Sequence, residues 1–234
     1  MRETVAEDLR TSLISQGAAC VGYADLADVP PDARQGYPCG VSIAVALNPA
    51  IIAGITEGPT LVYEEEYNRV NRRLDALAKS CTAFLQQQGF EAVSAVATVK
   101  SLNETNLFSA LPHKTVATRA GLGWVGKCAL LVTKAFGSAV RLTTVLTDAN
   151  LGSVEAVDES SCGTCRACVD VCPVKAPKGH EWQAGMPREA FFDAVACYRQ
   201  TMLWISERRL THHICGMCIV ACPWTQEYLK NAVD

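Results

Sequence analysis

Apolar positions recur along the first two thirds of the chain at two different periods, and the changes of period mark its elements. Val5, Leu9, Leu13 and Ile14 share one face at helical spacing, with Gly17 just beyond, which predicts an N-terminal helix. Residues 18–24 (AACVGYA) and 41–47 (VSIAVAL) are short, unbroken apolar runs of the kind that form buried strands. Over 63–88, Val70, Leu74, Leu77, Cys81, Phe84 and Leu85 return at helical spacing, and Gly89 stands where a helix C-terminus favours glycine. A strand is predicted over 91–99, then a short helix over 115–120 that leads into a glycine-rich stretch, 121–126. Two further strands, 128–134 and 139–147, are predicted about a turn at Phe136, Gly137 and Ser138.

Beyond residue 152 the periodicity gives way to cysteines, with eight of the twelve in the last third of the chain. Cys162, Cys165, Cys168 and Cys172 read C-x2-C-x2-C-x3-C before Pro173, and Cys215, Cys218 and Cys222 read C-x2-C-x3-C before Pro223. Three thiolates two residues apart can wrap one corner of an iron–sulfur cube, and the fourth crosses to a second cube, as in two-cluster bacterial ferredoxins. Zinc favours two separated C-x2-C pairs, and disulfides rarely take cysteines packed this closely.

The second run lacks its first cysteine, since that position is His212, and the nearest unused cysteine upstream is Cys197. The resulting assignment is crossed: Cys162, Cys165, Cys168 and Cys222 hold one [4Fe-4S] cluster; Cys172, Cys197, Cys215 and Cys218 hold the other. His212 stays open as an alternative ligand. The expected fold is α/β (α+β), with a sheet domain over 1–152 and a ferredoxin-like two-cluster module over 153–234. An irregular connection, 173–189, joins the two cysteine runs.

Composition narrows the setting. With 49% hydrophobic and 19% charged residues and a net charge of −3, the chain has the balance of an ordinary soluble protein and no basic footprint for nucleic acid. No run approaches the roughly 18 apolar residues of a membrane-spanning helix. The segment MRETVAEDLRTSLISQG lacks the apolar core of a signal peptide. Thiolate clusters call for a reducing compartment, so the cytoplasm is expected.

Residues 113–127 read HKTVATRAGLGWVGK. Gly121, Gly123 and Gly126 spell G-x-G-x-x-G, but here the motif precedes a strand, whereas the dinucleotide fingerprint follows one and opens a helix. Two readings remain: a tight loop whose backbone approaches a bulky ligand, or a glycine-rich turn packed on Trp124. His113 is the leading candidate proton donor, with Tyr67 second. Lys114 and Lys127 are candidates for holding a carboxylate or the polar tails of a cofactor. Trp182 covers a ligand face or packs the cluster module. Cys20, Cys39, Cys81 and Cys128 have no motif partners and read as buried structural thiols, with Cys128 kept as a candidate site residue.

Taken together, AGLGWVGK, the following LL…FGS…RL…VLTD, SCGTCRACVDVCP and CGMCIVACPW resemble epoxyqueuosine reductases and, more broadly, the corrinoid and iron–sulfur reductases that include reductive dehalogenases. The resemblance covers roughly 40–226. It implies a nitroreductase-like sheet domain that holds cobalamin, with Gly121, Gly123, Trp124, Gly126 and Lys127 at the cofactor and the clusters relaying electrons to it. A flavin in place of the corrin stays open. Two features depart from the family. Counting back from the glycine loop, Leu107 occupies the place of its proposed proton-donating aspartate, and Glu104 lies three residues off register. The helical-repeat segment with which the family grips tRNA has no counterpart before Asp234. The expectation is an iron–sulfur oxidoreductase, cobalamin-dependent, acting on a small substrate. Its electron donor would be of ferredoxin or flavodoxin type, and it would act alone or as a homodimer. The alternative is an electron-transfer protein that serves a partner protein or its corrinoid.

Overall fold

The computed structural model describes residues 2–95, 97, 105, 107–152 and 154–232. In chain order the elements are α1 (Arg2–Ser15), β1 (Cys20–Asp25), β2 (Cys39–Ala46), α2 (Pro49–Ala53), α3 (Leu61–Gln87), β3 (Ala92–Ala95), α4 (His113–Arg119), β4 (Trp124–Val125), β5 (Leu131–Val132) and β6 (Val140–Thr147). The cysteine-rich part adds α5 (Ala167–Val171), α6 (Arg188–Phe191), α7 (Ala194–Arg208), α8 (Met217–Val220) and α9 (Pro223–Asn231).

Four strands form one sheet in the order β1-β2-β6-β3, every neighbouring pair antiparallel, so the architecture is α+β. Strand alternation gives the sheet two buried faces. Val41, Ile43 and Val145 pack with α1 and with Val70, Leu74 and Leu77 of α3. Leu146 of β6 packs on the other face against Val116 and Ala120 of α4. Two glycines let α4 press onto that face: a Cβ on Gly40 would lie 2.9 Å from Val116 Cγ1, and one on Gly22 2.8 Å from the Ala120 carbonyl.

The long helix begins where Thr60 accepts from the Tyr63 amide at 3.1 Å and ends before Gly89, whose φ of +86° only glycine adopts readily. Val70, Leu74, Leu77, Cys81 and Leu85 are buried along it, each leucine contributing about 1.5–3 kcal/mol by its burial. Of the strand predicted over 91–99, residues 92–95 form β3, whereas positions 96, 98 and 99, like Glu104, lie outside the described residues.

The predicted strand 128–134 shrinks to Leu131–Val132, because Cys128–Leu130 are taken by a turn in which Ala129 adopts φ +60°. It pairs with β4, inside the glycine stretch, as a hairpin separate from the main sheet. Helix α2 and the short and long helices of the cysteine-rich part, α5 to α9, have no counterpart among the sequence expectations. The cysteine-rich part shares the core of the sheet part: Leu210, Ile214, Ile219 and Leu229 join the apolar cluster built on α1 and α3. Among the described residues, no helix is long and apolar enough to cross a membrane.

Candidate cluster sites and the adjoining cavity

Cys162, Cys165, Cys168 and Cys222 surround one cavity of about 140 Å³, several times the roughly 30 Å³ share of a water molecule. Cys162 and Cys165 come from the turn leading into α5, Cys168 from its first turn, and Cys222 caps α9, where Pro223 occupies the first helical turn. The hairpin closes the cavity from the sheet side through Gly126, Lys127, Cys128 and Val132. Lys127 is 4% exposed and donates to the carbonyls of Gly163 at 2.6 Å and Cys165 at 3.0 Å. The Gly163 amide donates to Glu181 at 2.7 Å. The first cysteine loop is thus held by charged groups on both sides.

A second group forms around Cys197, in the first turn of α7, which starts where Asp193 accepts from the Ala196 amide at 2.9 Å. Burial, and then the proximity of Cys215 and Cys172, push the Cys197 thiol up to about 12. Cys218 and Cys215 both lie beside Tyr63 of α3. Gly216, at φ +85°, permits the turn between them, and a Cβ there would meet Ile55 Cδ1 at 2.6 Å. Cys128 is buried between the two groups, close to Cys168 and Cys218, and its thiol is raised above the usual range. Among the described residues, no group of three or more His, Cys, Asp or Glu side chains is arranged for a single metal ion. Four thiols around a cavity suit a cube instead.

His212 has other work. Glu64 of α3, buried, accepts from the Thr211 amide at 2.6 Å, the His212 amide at 2.8 Å and His212 Nδ1 at 3.1 Å. Burial raises the Glu64 carboxyl, but these donors outweigh it and hold the carboxyl below its usual range. His212 therefore pins the segment before the second cysteine run to α3. Nδ1 of His212 is thus turned to Glu64, whereas Cys197 stands among the second group of thiols.

A cavity of about 1000 Å³ lies on the outer side of α4, between the 107–112 loop and residues 182–191 of the cysteine-rich part. That is the upper end of the range for small-molecule and cofactor sites, with room for a large cofactor. Its walls include Leu107, Lys114, Arg119, Val125, Trp182 and Arg188. Arg188 donates to the Leu107 carbonyl and ties the loop to the cysteine-rich part. Arg119 pairs with Asp158 and donates to the Val157 carbonyl at 3.0 Å. The Lys114 amine donates to the Ala129 carbonyl at 2.7 Å. Its chain borders the cavity while protein encloses the amine, and desolvation, reinforced by Arg188, lowers it to about 8.

The positions predicted to hold a cofactor are placed differently from expectation. Gly121, Gly123, Trp124, Gly126 and Lys127 do not line this large cavity, and Val125 is the hairpin residue that does. The glycines serve the protein's own packing: a Cβ on Gly123 would lie 2.1 Å from the Val132 carbonyl, and one on Gly121 2.6 Å from Val154 Cγ2. Gly126 and Lys127 face the cluster cavity, and Trp124 packs on Cys162 and Cys222. The loop is a partition, with cysteines on one side and the large cavity on the other.

The two candidate proton donors do not share a site. His113 Nδ1 bonds Thr144 Oγ1 at 2.9 Å on the α4 face of the sheet. Tyr67 is buried on the α3 face, with Arg141 4.0 Å from its ring centre and the His212 ring at 5.2 Å. Strand alternation separates them, and neither lines the large cavity. Trp182 does line it, and Leu107 sits in its wall. Cys128 was kept as a single candidate, and its place between two cysteine groups had no signal in spacing.

Comparison with known proteins places this geometry. Residues 161–225 match the 4Fe-4S double cluster binding domain family, and this part of the chain is such a domain, with two [4Fe-4S] clusters as its cofactors. Among curated proteins, the chain is 31% identical over 171 residues to an epoxyqueuosine reductase of Lactococcus garvieae, covering 69% of this chain and 42% of the relative. In fold it is similar to a reductive dehalogenase whose structure is described as suggesting a mechanism for B12-dependent dehalogenation. That match has a TM-score of 0.70 at 19% identity and covers 97% of this chain and 33% of that one. An epoxyqueuosine reductase solved with a tRNA-Tyr stem loop matches with a TM-score of 0.62 at 17% identity, over 97% of this chain and 66% of that one. The class shown is a double-cluster iron–sulfur domain joined to a four-stranded α+β sheet part. The resemblance to the epoxyqueuosine reductase-like family, and the sheet-plus-double-cluster fold it implied, are borne out. The chain spans 40–42% of the length of its first curated relatives.

Proposed function

We propose that the chain is a cobalamin-dependent iron–sulfur reductase of a small substrate. Cys162, Cys165, Cys168 and Cys222 hold one cube, Cys172, Cys197, Cys215 and Cys218 hold the second, and the corrinoid occupies the large cavity beyond Val125. The observation that carries this reading is the shared wall. Val125 borders the large cavity and the next three residues, Gly126, Lys127 and Cys128, border the cluster cavity, so a cofactor in the large cavity would lie one loop away from the proximal cube. When bound, the corrinoid supplies the two-electron reduction at its metal.

The chain's own residues do the rest. Lys127 and Glu181 fix the proximal cysteine loop. Arg188 holds the 107–112 loop over the cavity. Lys114 runs along the cavity wall to an enclosed amine whose lowered pKa, about 8, suits proton donation near neutrality. It stands in for the aspartate that Leu107 replaces, and it displaces His113 from that role. Electrons come from a ferredoxin- or flavodoxin-type donor in a reducing compartment. The tRNA held by one structural neighbour makes tRNA the competing substrate, and a net charge of −3 does not favour it.

The second reading is an electron carrier for a partner's corrinoid, and Leu107 in the cavity wall favours it, since leucine donates no proton. Anaerobic titration of the iron-loaded protein with cob(II)alamin, followed by electron paramagnetic resonance, separates the two. Saturable binding with a base-off cobalt signal is expected. Two reducible clusters with no cobalamin uptake would leave the carrier.

A further inference from the structure

Among the described residues, three buried side-chain polar atoms lack a well-formed hydrogen bond: Ser42 Oγ, Trp124 Nε1 and Trp204 Nε1. An orphaned buried donor costs about 1–3 kcal/mol, and native proteins keep few of them. Two of the three are indole N–H groups, and they are divided between the two cysteine groups.

Trp124, 3% exposed, packs with Cys162, Cys222 and Val132 on the cluster side of the hairpin, and Trp224 meets it edge-on at 5.4 Å. Trp204, in the middle of α7, lies against Cys215. Arg208 covers its ring at 4.5 Å, and Gly58 is close enough that a Cβ there would lie 3.1 Å from it. An indole nitrogen donates only. At both places the neighbouring chemistry is cysteine sulfur, which becomes a good acceptor once it carries charge as a cluster ligand, next to bridging sulfide.

We propose that Trp124 and Trp204 each donate an N–H···S hydrogen bond to one [4Fe-4S] cluster, Trp124 to the proximal and Trp204 to the distal, and so set the two potentials independently. The inference rests on the two-cluster assignment above and needs no corrinoid. Donation to sulfur stabilises the reduced, more negatively charged cube, so losing the donor lowers its potential.

The test is an anaerobic redox titration of the iron-loaded chain, followed by electron paramagnetic resonance, for wild type, Trp124→Phe and Trp204→Phe. Iron and sulfide are assayed on each sample. At full iron content, Trp124→Phe is expected to lower the midpoint of one cluster signal and leave the other in place, with Trp204→Phe doing the converse. Unchanged midpoints in both variants would overturn the proposal.

Because either variant could lose its cluster, wild-type protein carrying tryptophan labelled with 15N at the indole nitrogen gives a second reading by electron–nuclear double resonance. An indole 15N coupling and an exchangeable proton at each reduced cluster are expected, and their absence at both would sink the idea. Protein that takes up no iron would overturn the cluster assignment itself, which the iron assay reads separately from the potentials.

Discussion

Lys127 donates to the carbonyl of Cys165 at 3.0 Å, and to that of Gly163 at 2.6 Å, so a lysine of the sheet part latches the first cysteine loop from behind. The amine is buried and its acceptors are two backbone carbonyls of the loop. Lys127→Met keeps the length of the chain and removes the donor. Hydrogen bonds from a charged group contribute about 1.5–3 kcal/mol, and that much stability should be lost. Iron analysis with paramagnetic resonance should show the proximal cluster depleted and the distal one retained. Equal loss of both signals would mean that Lys127 supports the fold rather than the loop.

Glu64 plays the matching part for the second run. One carboxylate oxygen gathers two backbone amides and the His212 ring, fixing the segment that delivers Cys215. Glu64→Gln removes the charge and leaves a neutral amide oxygen, a weaker acceptor, for the same donors. A loss of about 1–3 kcal/mol is expected, with the distal cluster the first to go on mild oxidation. Chemical unfolding of the variant, alongside the decay of the two cluster signals, checks both statements.

Much of this was legible before the structure because it is local. The face of α3, the buried runs of β1 and β2 and the two cysteine runs are set by spacing within a few turns of chain. Cys197 was reached by counting thiols. The partition was not legible. Val125 and Lys127 are two residues apart in a stretch whose glycines suggested a ligand, and they face different cavities only because the hairpin crosses between α4 and the cysteine-rich part. The same holds for Tyr67 and His113, whose separation depends on which face of β6 each meets. The wall of the large cavity draws on Asp28, Leu107, Lys114 and Trp182, and no periodicity links positions so far apart.

The lowered pKa of Lys114 makes a prediction about stability. In the unfolded chain the amine titrates near 10.5, and in the folded chain near 8. Below pH 8 both forms are charged and the folded state carries the full cost of the enclosed charge. Between 8 and 10.5 the unfolded chain binds more protons, so the stability of the wild type rises with pH across that window. Lys114→Met removes the titration. The variant should be more stable than wild type at pH 7, by about 1–3 kcal/mol at roughly 1.4 kcal/mol per unit and with allowance for the cavity's open side. The gap should narrow as pH approaches 10.5. A difference independent of pH would show that the amine is solvated and unsuited to donate a proton.

The crossed ligand set is decided by comparing two variants of the distal group. Cys197 stands beside Cys172 and Cys215, whereas His212 turns its Nδ1 to Glu64. Removing a ligand leaves a cube with an open corner, which loses an iron or falls apart. Removing a latch leaves the cube intact on a looser loop. Cys197→Ala should therefore abolish the distal [4Fe-4S] signal, or convert it to a three-iron form, with the proximal signal unchanged. His212→Ala should keep full iron content and both signals, with stability lowered by about 0.5–1.5 kcal/mol for the lost side-chain bond. Should His212→Ala lose the distal cluster while Cys197→Ala keeps it, the imidazole is the ligand. The distal potential would then be expected to lie higher than that of an all-thiolate cube.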